Sequence, residues 1–196
     1  MKGLFIKDFY VLRKMMLYFA VIIVVFSLLA AALKNMAFIC GISFASATSV
    51  VFSAMSYDEN DGWTAYVIAS GINKKYIVLE KYLLGFSYCC ICTVLNIIIS
   101  VITKNIAVLP DIILYSLFYP VIVQALILPV IYKLGVEKGR AAVIIVLCLA
   151  IMLYIFLSTA LTASSIPVFA AVFIVAAAAG AVSFNISLTI LKKQEF

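Results

Sequence analysis

A chain of 196 residues that is 67% hydrophobic and 11% charged, with a mean hydropathy of +1.28, cannot hide its apolar surface in water, because a small protein leaves much of its surface exposed. Lipid is the solvent for most of it. The alternating pattern of a membrane β-barrel is absent, so an all-α bundle is the spanning architecture that remains. The net charge of +6 suits anchoring to an anionic inner leaflet and asks for no nucleic acid.

The chain reads as a single transmembrane domain, 1–196. Residues 1–14, MKGLFIKDFYVLRK, mix basic residues with Leu4, Phe5, Phe9, Tyr10 and Leu12, as expected of a short helix lying in the interface with its aromatics at headgroup depth. Six apolar runs follow, at 15–33, 36–56, 82–103, 112–132, 141–162 and 167–191. Each approaches the roughly 20 residues needed to cross a hydrocarbon core of about 30 Å. None has an Asp, Glu, Lys or Arg well inside it, and the chain contains no His. The first run is too long for the core of a signal peptide and reads as a retained span.

Lys34-Asn35 alone separates the first two runs, which predicts a tight hairpin. In the second run Gly41, Ala45, Ser49 and Ser53 recur at every fourth position and so share one helix face. In lipid such a face admits a second backbone, within the bundle or across a dimer.

Residues 57–81 form the one polar interruption, holding Asp58, Glu59, Asp61, Glu80 and the only Trp, Trp63. A bare connection between spans needs only about 2–8 residues, so the length calls for more than a loop. Trp63, Tyr66, Val67 and Ser70 fall at i, i+3, i+4 and i+7, one face of a short helix. Gly71 is a suitable stop. Asn73 is placed to cap a second helix that runs through Tyr82 into the third span. Lys74 and Lys75 then lie in a first turn, where the helix dipole disfavours cations, so negative groups are expected beside them: lipid phosphate, or acids of a partner.

Cys40, Cys89, Cys90, Cys92 and Cys148 all fall within apolar runs and read as small packing groups, since the Cys89–Cys92 cluster lacks a second ligand pair. Pro120 and Pro129 in the fourth run each remove a backbone donor and are expected to bend or end the helix. Asn96, Gln124 and Asn185 read as hydrogen-bonding partners between helices, ahead of substrate contacts. Residues 133–140 join the fourth and fifth runs. Ala176–Ala179 with Gly180 and Ala181 make a second close-approach surface in the sixth.

An even number of spans puts both termini on one side. That side collects twelve Lys and Arg, and the other side two, Lys34 and Lys104. Both termini and residues 57–81 are therefore expected in the cytoplasm. Transporter-type ionisable groups within the spans, a phosphate-binding loop and zinc-protease spacing are all absent. If the chain moves a solute uphill, another polypeptide supplies the energy.

The opening MKGLFIKDFYVLRK resembles that of small bacterial ABC-2-type transporter permeases. So do Ser56-Tyr57-Asp58-Glu59 with Trp63, Tyr66, Ile77-Val78 and Lys81-Tyr82-Leu83-Leu84, and Gly135-Val136-Glu137-Lys138-Gly139-Arg140 after a proline-bearing span. Where that family often carries Leu-Pro before a Ser/Thr-Arg pair, this chain reads Ala69-Ser70-Gly71-Ile72-Asn73-Lys74. The resemblance implies a six-helix bundle of the type V exporter kind. It implies a non-enzymatic permease subunit that exports an amphipathic or hydrophobic substrate such as a peptide. Two permease chains, identical or related, would pair in the bacterial plasma membrane, and separate ATPase subunits would carry ATP and Mg; this chain itself would bind no cofactor. It further implies that Asp58, Glu59, Asp61, Trp63, Tyr66, Lys74 and Lys75 meet the ATPase, with Glu137, Lys138 and Arg140 as a second cytoplasmic contact. A non-transporting membrane protein, such as an immunity or sensor subunit, is the alternative.

Overall fold

A computed structural model describes residues 2–33, 37–102, 109–160 and 166–193. Among them every regular element is helical: α1 (Lys2–Leu33), α2 (Ala37–Asn60), α3 (Trp63–Ala69), α4 (Lys74–Ile102), α5 (Leu109–Ile113), a π segment (Leu114–Phe118), α6 (Tyr119–Ala160) and α7 (Ile166–Lys193). By length and composition, four stretches can cross a membrane: Ile6–Phe26, Lys74–Ile102, Ser116–Leu149 and Val172–Lys193. The hairpin expected at Lys34-Asn35 lies outside the described residues.

α1 has no break between its first turns and its apolar body. The interfacial segment expected at 1–14 is thus the start of this helix and not a separate element. Leu4, Asp8 and Leu12 bury along one of its faces, while Phe9 and Tyr10 stay exposed. α1 packs on α2 and α4, α2 on α4 and α6, and α6 on α7.

The face that α2 buries carries Ala47, Val50, Val51, Ala54, Met55 and Asp58. Ala45 is exposed, and Ser49 and Ser53 are half-buried. The small-residue stripe is therefore not the main seam of α2 within the chain; the surroundings of Gly41 lie outside the described residues. The close approach of small residue to neighbour occurs on α4, where a Cβ on Gly85 would lie 2.7–2.8 Å from the amide Cδ and Nε2 of Gln124 on α6.

The prolines act differently from a simple bend. Pro120 has no N–H for the carbonyl of Ser116, and just before it the backbone widens into the π segment, with Tyr119 N–H bonded to the carbonyl of Leu114. Pro129 is carried inside α6 without non-helical torsions. It cannot serve the carbonyl of Ala125, and Ser183 of α7 donates to that oxygen instead at 2.5 Å. Since the one Ser183 proton is thereby used, the Tyr82 hydroxyl donates to Ser183 (2.5 Å) and Ser187 donates to Tyr82 (3.2 Å). This ordered relay joins α4, α6 and α7.

The real corner of α6 is Gly135, with φ 75° and ψ 170°. A continuous helix would separate residues 131 and 139 by about 12 Å. Instead, a Cβ on Gly139 would lie 3.8 Å from the Ile131 Cα, so the chain folds back here. The expected loop at 133–140 is in fact helix up to the corner and helix after it. Only glycine takes this torsion pair readily.

Candidate functional site

Two acids and two lysines from three helices meet beside α3. Lys81 Nζ of α4 lies 2.5 Å from Asp8 Oδ2 of α1 and 2.6 Å from Asp58 Oδ2 of α2. Lys7 Nζ of α1 pairs with the other oxygen of each, Asp8 Oδ1 at 3.0 Å and Asp58 Oδ1. The result is an alternating square in which each carboxylate oxygen faces one ammonium. Lys81 is 2% exposed, Asp8 1% and Asp58 5%. Charges so buried persist because each is paired on two sides, and removal of one member leaves the others uncompensated. Glu80 is buried beside the square, and among the described residues its Oε1 has no hydrogen-bond partner.

α3 rests on this square. Lys7 Nζ sits 4.7 Å from the centroid of the Trp63 ring, a cation–π contact. Trp63 in turn lies 5.4 Å from the ring of Tyr66, which is 65% exposed. Val67 buries inward. Gly71, at φ 83°, ends the helix in a Schellman turn: Ile72 N–H bonds the carbonyl of Val67 and Gly71 N–H that of Ile68. Asn73 then caps α4 by accepting from Lys75 N–H at 3.0 Å.

Two further ties fix neighbouring helix ends. Val136 N–H, the first donor after the Gly135 corner, is bonded to Glu59 Oε2 at 2.6 Å. This places an anion at a helix N-terminus, the favourable end. Lys74 Nζ donates to the carbonyl of Leu191 at 2.9 Å, a cation at the C-terminal end of α7. Between these elements lies a cleft of about 420 Å³, with Asp58 and Lys81 on its floor and Glu59, Gly62, Thr64 and Gly135 among its other lining residues.

Residues 3–192 match the family model described as ABC-2 family transporter protein. The chain belongs to that family. It is a multi-pass membrane permease of ABC-transporter type, a class of transport component that is generally not catalytic itself and works with an ABC ATPase. No curated protein and no solved structure matches it.

Within the permease, the residues expected at the ATPase contact divide into two groups. Asp58, Trp63 and Lys74 turn toward the permease's own helices, and Glu59, though exposed, is bonded to Val136 N–H of the same chain. Lys74 donates to a carbonyl of α7; the lipid phosphate or partner acid expected beside it and Lys75 remains part of the proposal below. Asp61, Tyr66 and Lys75 are exposed, as are Glu137, Lys138 and Arg140 after the corner. Sequence reasoning gave no site role to Lys7, Asp8, Glu80 or Lys81, although Lys81 stood in the family pattern and Glu80 in the polar stretch. The available signal was a pair of adjacent opposite charges, Lys7-Asp8 and Glu80-Lys81, flanking apolar runs in a chain with eight acids in all.

Proposed function

We propose that the chain is the permease subunit of an exporter in a bacterial plasma membrane, with six crossings and both termini in the cytoplasm. The fold-back at Gly135 supports six, because it divides α6 into two arms, and α2 supplies another apolar helix. Two such chains, identical or related, form the route for an amphipathic or hydrophobic substrate such as a peptide. The stripe of Gly41, Ala45, Ser49 and Ser53, in which Ala45 is exposed and Ser49 and Ser53 are only half-buried, suits the second copy. The N-terminal turns lie at the interface.

The observation that carries this reading is the mounting of α3. Its outward face presents Tyr66 with Asp61 and Lys75 nearby, and its inward face bears on a charge square shared by α1, α2 and α4. A soluble ATPase loaded with ATP and Mg grips the outward face, with Glu137, Lys138 and Arg140 as a second contact. Tilting of α3 then loads three helices at once. ATP binding shifts the permease only through a difference in affinity for its two states.

Affinity purification of the tagged permease with its untagged ATPase tests the docking. Loss of a central aromatic anchor costs about 2 kcal/mol or more, roughly thirtyfold in affinity, so Tyr66→Ala is expected to strip most of the ATPase while the permease stays folded. Unchanged recovery with both Tyr66→Ala and Lys138→Glu would sink the assignment.

A further inference from the structure

Away from the α3 site, a slot of about 320 Å³ runs between α1 and α4, and the surface lining it is entirely apolar. On α1 its lining extends from Phe9 at the mouth through Arg13 and Ala20 to Ile23, and on α4 from Tyr88 to Leu95. From the Arg13 level to Ile23, α1 rises about 15 Å, half of a hydrocarbon core of about 30 Å. That is the depth reached by the acyl chain of one leaflet. Arg13 contributes only its aliphatic stem to the lining. Its guanidinium stands outside the slot, 6.0 Å from the ring of the exposed Tyr10, and among the described residues none of the ion pairs uses it. Exposed Lys14 is its neighbour.

We propose that this slot binds an anionic phospholipid, with one acyl chain between α1 and α4 and the phosphate on Arg13. A planar guanidinium forms paired charge-assisted bonds with phosphate oxygens. A choline headgroup brings its own cation beside Arg13 and Lys14, whereas glycerol leaves the phosphate charge uncompensated, and this separates the two lipids. The inference rests on the placement of the α1 start at a headgroup surface and is independent of any ATPase contact.

Native mass spectrometry of the full chain released from detergent tests it, with dioleoyl phosphatidylglycerol or dioleoyl phosphatidylcholine added at equal concentration. The unaltered chain is expected to retain one phosphatidylglycerol at about tenfold lower lipid concentration than phosphatidylcholine, the factor that about 1.4 kcal/mol represents. Arg13→Gln should abolish that preference yet keep lipid in the slot. Ala20→Trp, which fills the slot, should lower retention of both lipids about tenfold, and Ala20→Phe serves if the larger ring prevents folding. Equal retention of the two lipids by the unaltered chain overturns the proposal. So does retention unchanged by both Ala20 variants, or an Ala20→Cys variant that cross-links two copies in the membrane through position 20.

Discussion

At the α3 end of the bundle, α1, α2 and α4 are tied by four full charges; about 18 Å further along α4, the tie to the π segment is made of neutral groups. There Asn96 Nδ2 donates to Ser116 Oγ at 3.3 Å, Ser116 and Thr93 share a bond of 2.9 Å, and Thr93 Oγ1 donates to the carbonyl of Cys89 at 2.8 Å. A hydroxyl has one proton, so Ser116 must donate to Thr93, and the three bonds run in one direction. A lysine or aspartate at the middle of a span costs about 2.5–3.5 kcal/mol on insertion scales, which hydroxyls and amides largely avoid. The difference is one of failure as much as of chemistry. The charge square fails as a unit when one member goes, whereas the neutral chain loses one bond at a time. A joint that must hold α3 against three helices suits the first kind of tie, and a seam within the bundle suits the second.

Lys81→Met breaks the comparison at its strongest point. It leaves Asp8 and Asp58 facing each other with only Lys7 between them, and such truncations of buried pairs cost about 3–5 kcal/mol. Thermal unfolding in detergent should show the largest loss of any single change considered, or no folded material. Asp8→Leu with Lys81→Met removes one charge of each sign and leaves Lys7 paired with Asp58, so most of the stability should return. A double variant as unstable as the single one would show that charge balance is not what holds the corner.

The square also marks where reading from sequence stopped. Helix identity was legible because apolar runs of span length, the Trp63–Tyr66–Val67–Ser70 spacing, the Gly71 stop and the Asn73 cap are all local signals. Burial of Asp58 was not, since its pairing with Lys7 spans 51 positions and that of Lys81 with Asp8 spans 73. Periodicity tells which residues share a face, not which other element that face meets. An acid beside an aromatic therefore read as a surface for a partner, when two lysines from the same chain had already taken both its oxygens. The prolines misled in a related way. Pro129 advertises a break, but Ser183 relieves the lost hydrogen bond from another helix, and the turn falls at Gly135, where Glu59 waits 76 residues upstream in the sequence to cap the next arm at Val136 (77 positions away).

The next test moves to the α4–α6 approach, where neutral packing replaces charge. A methyl on Gly85 must displace the buried Gln124 amide, which also donates to Cys89 Sγ at 3.6 Å. Gly85→Ala is expected to cost about 1–2 kcal/mol, in the lower part of the overpacking range because the far end of a side chain can shift. Adding Gln124→Ala should recover part of that loss in the same unfolding assay. No recovery would mean that the backbones, not the amide, set the spacing.

Thr93→Val should show the smallest effect. Valine keeps the shape of threonine, so the loss isolates the hydroxyl: the acceptor for Ser116 and the donor to the carbonyl of Cys89. Hydrogen bonds between membrane helices average about 0.6 kcal/mol and reach about 1.7, because a helix pulled from its neighbour finds other partners. The Cys89 carbonyl keeps its place in the α4 backbone, and Ser116 can turn its proton elsewhere. The expected loss is therefore about 0.5–1 kcal/mol, several-fold below that of Lys81→Met. A Thr93→Val variant as damaged as Lys81→Met would erase the distinction between the two ties, and the middle of the bundle would then be as brittle as the end that carries α3.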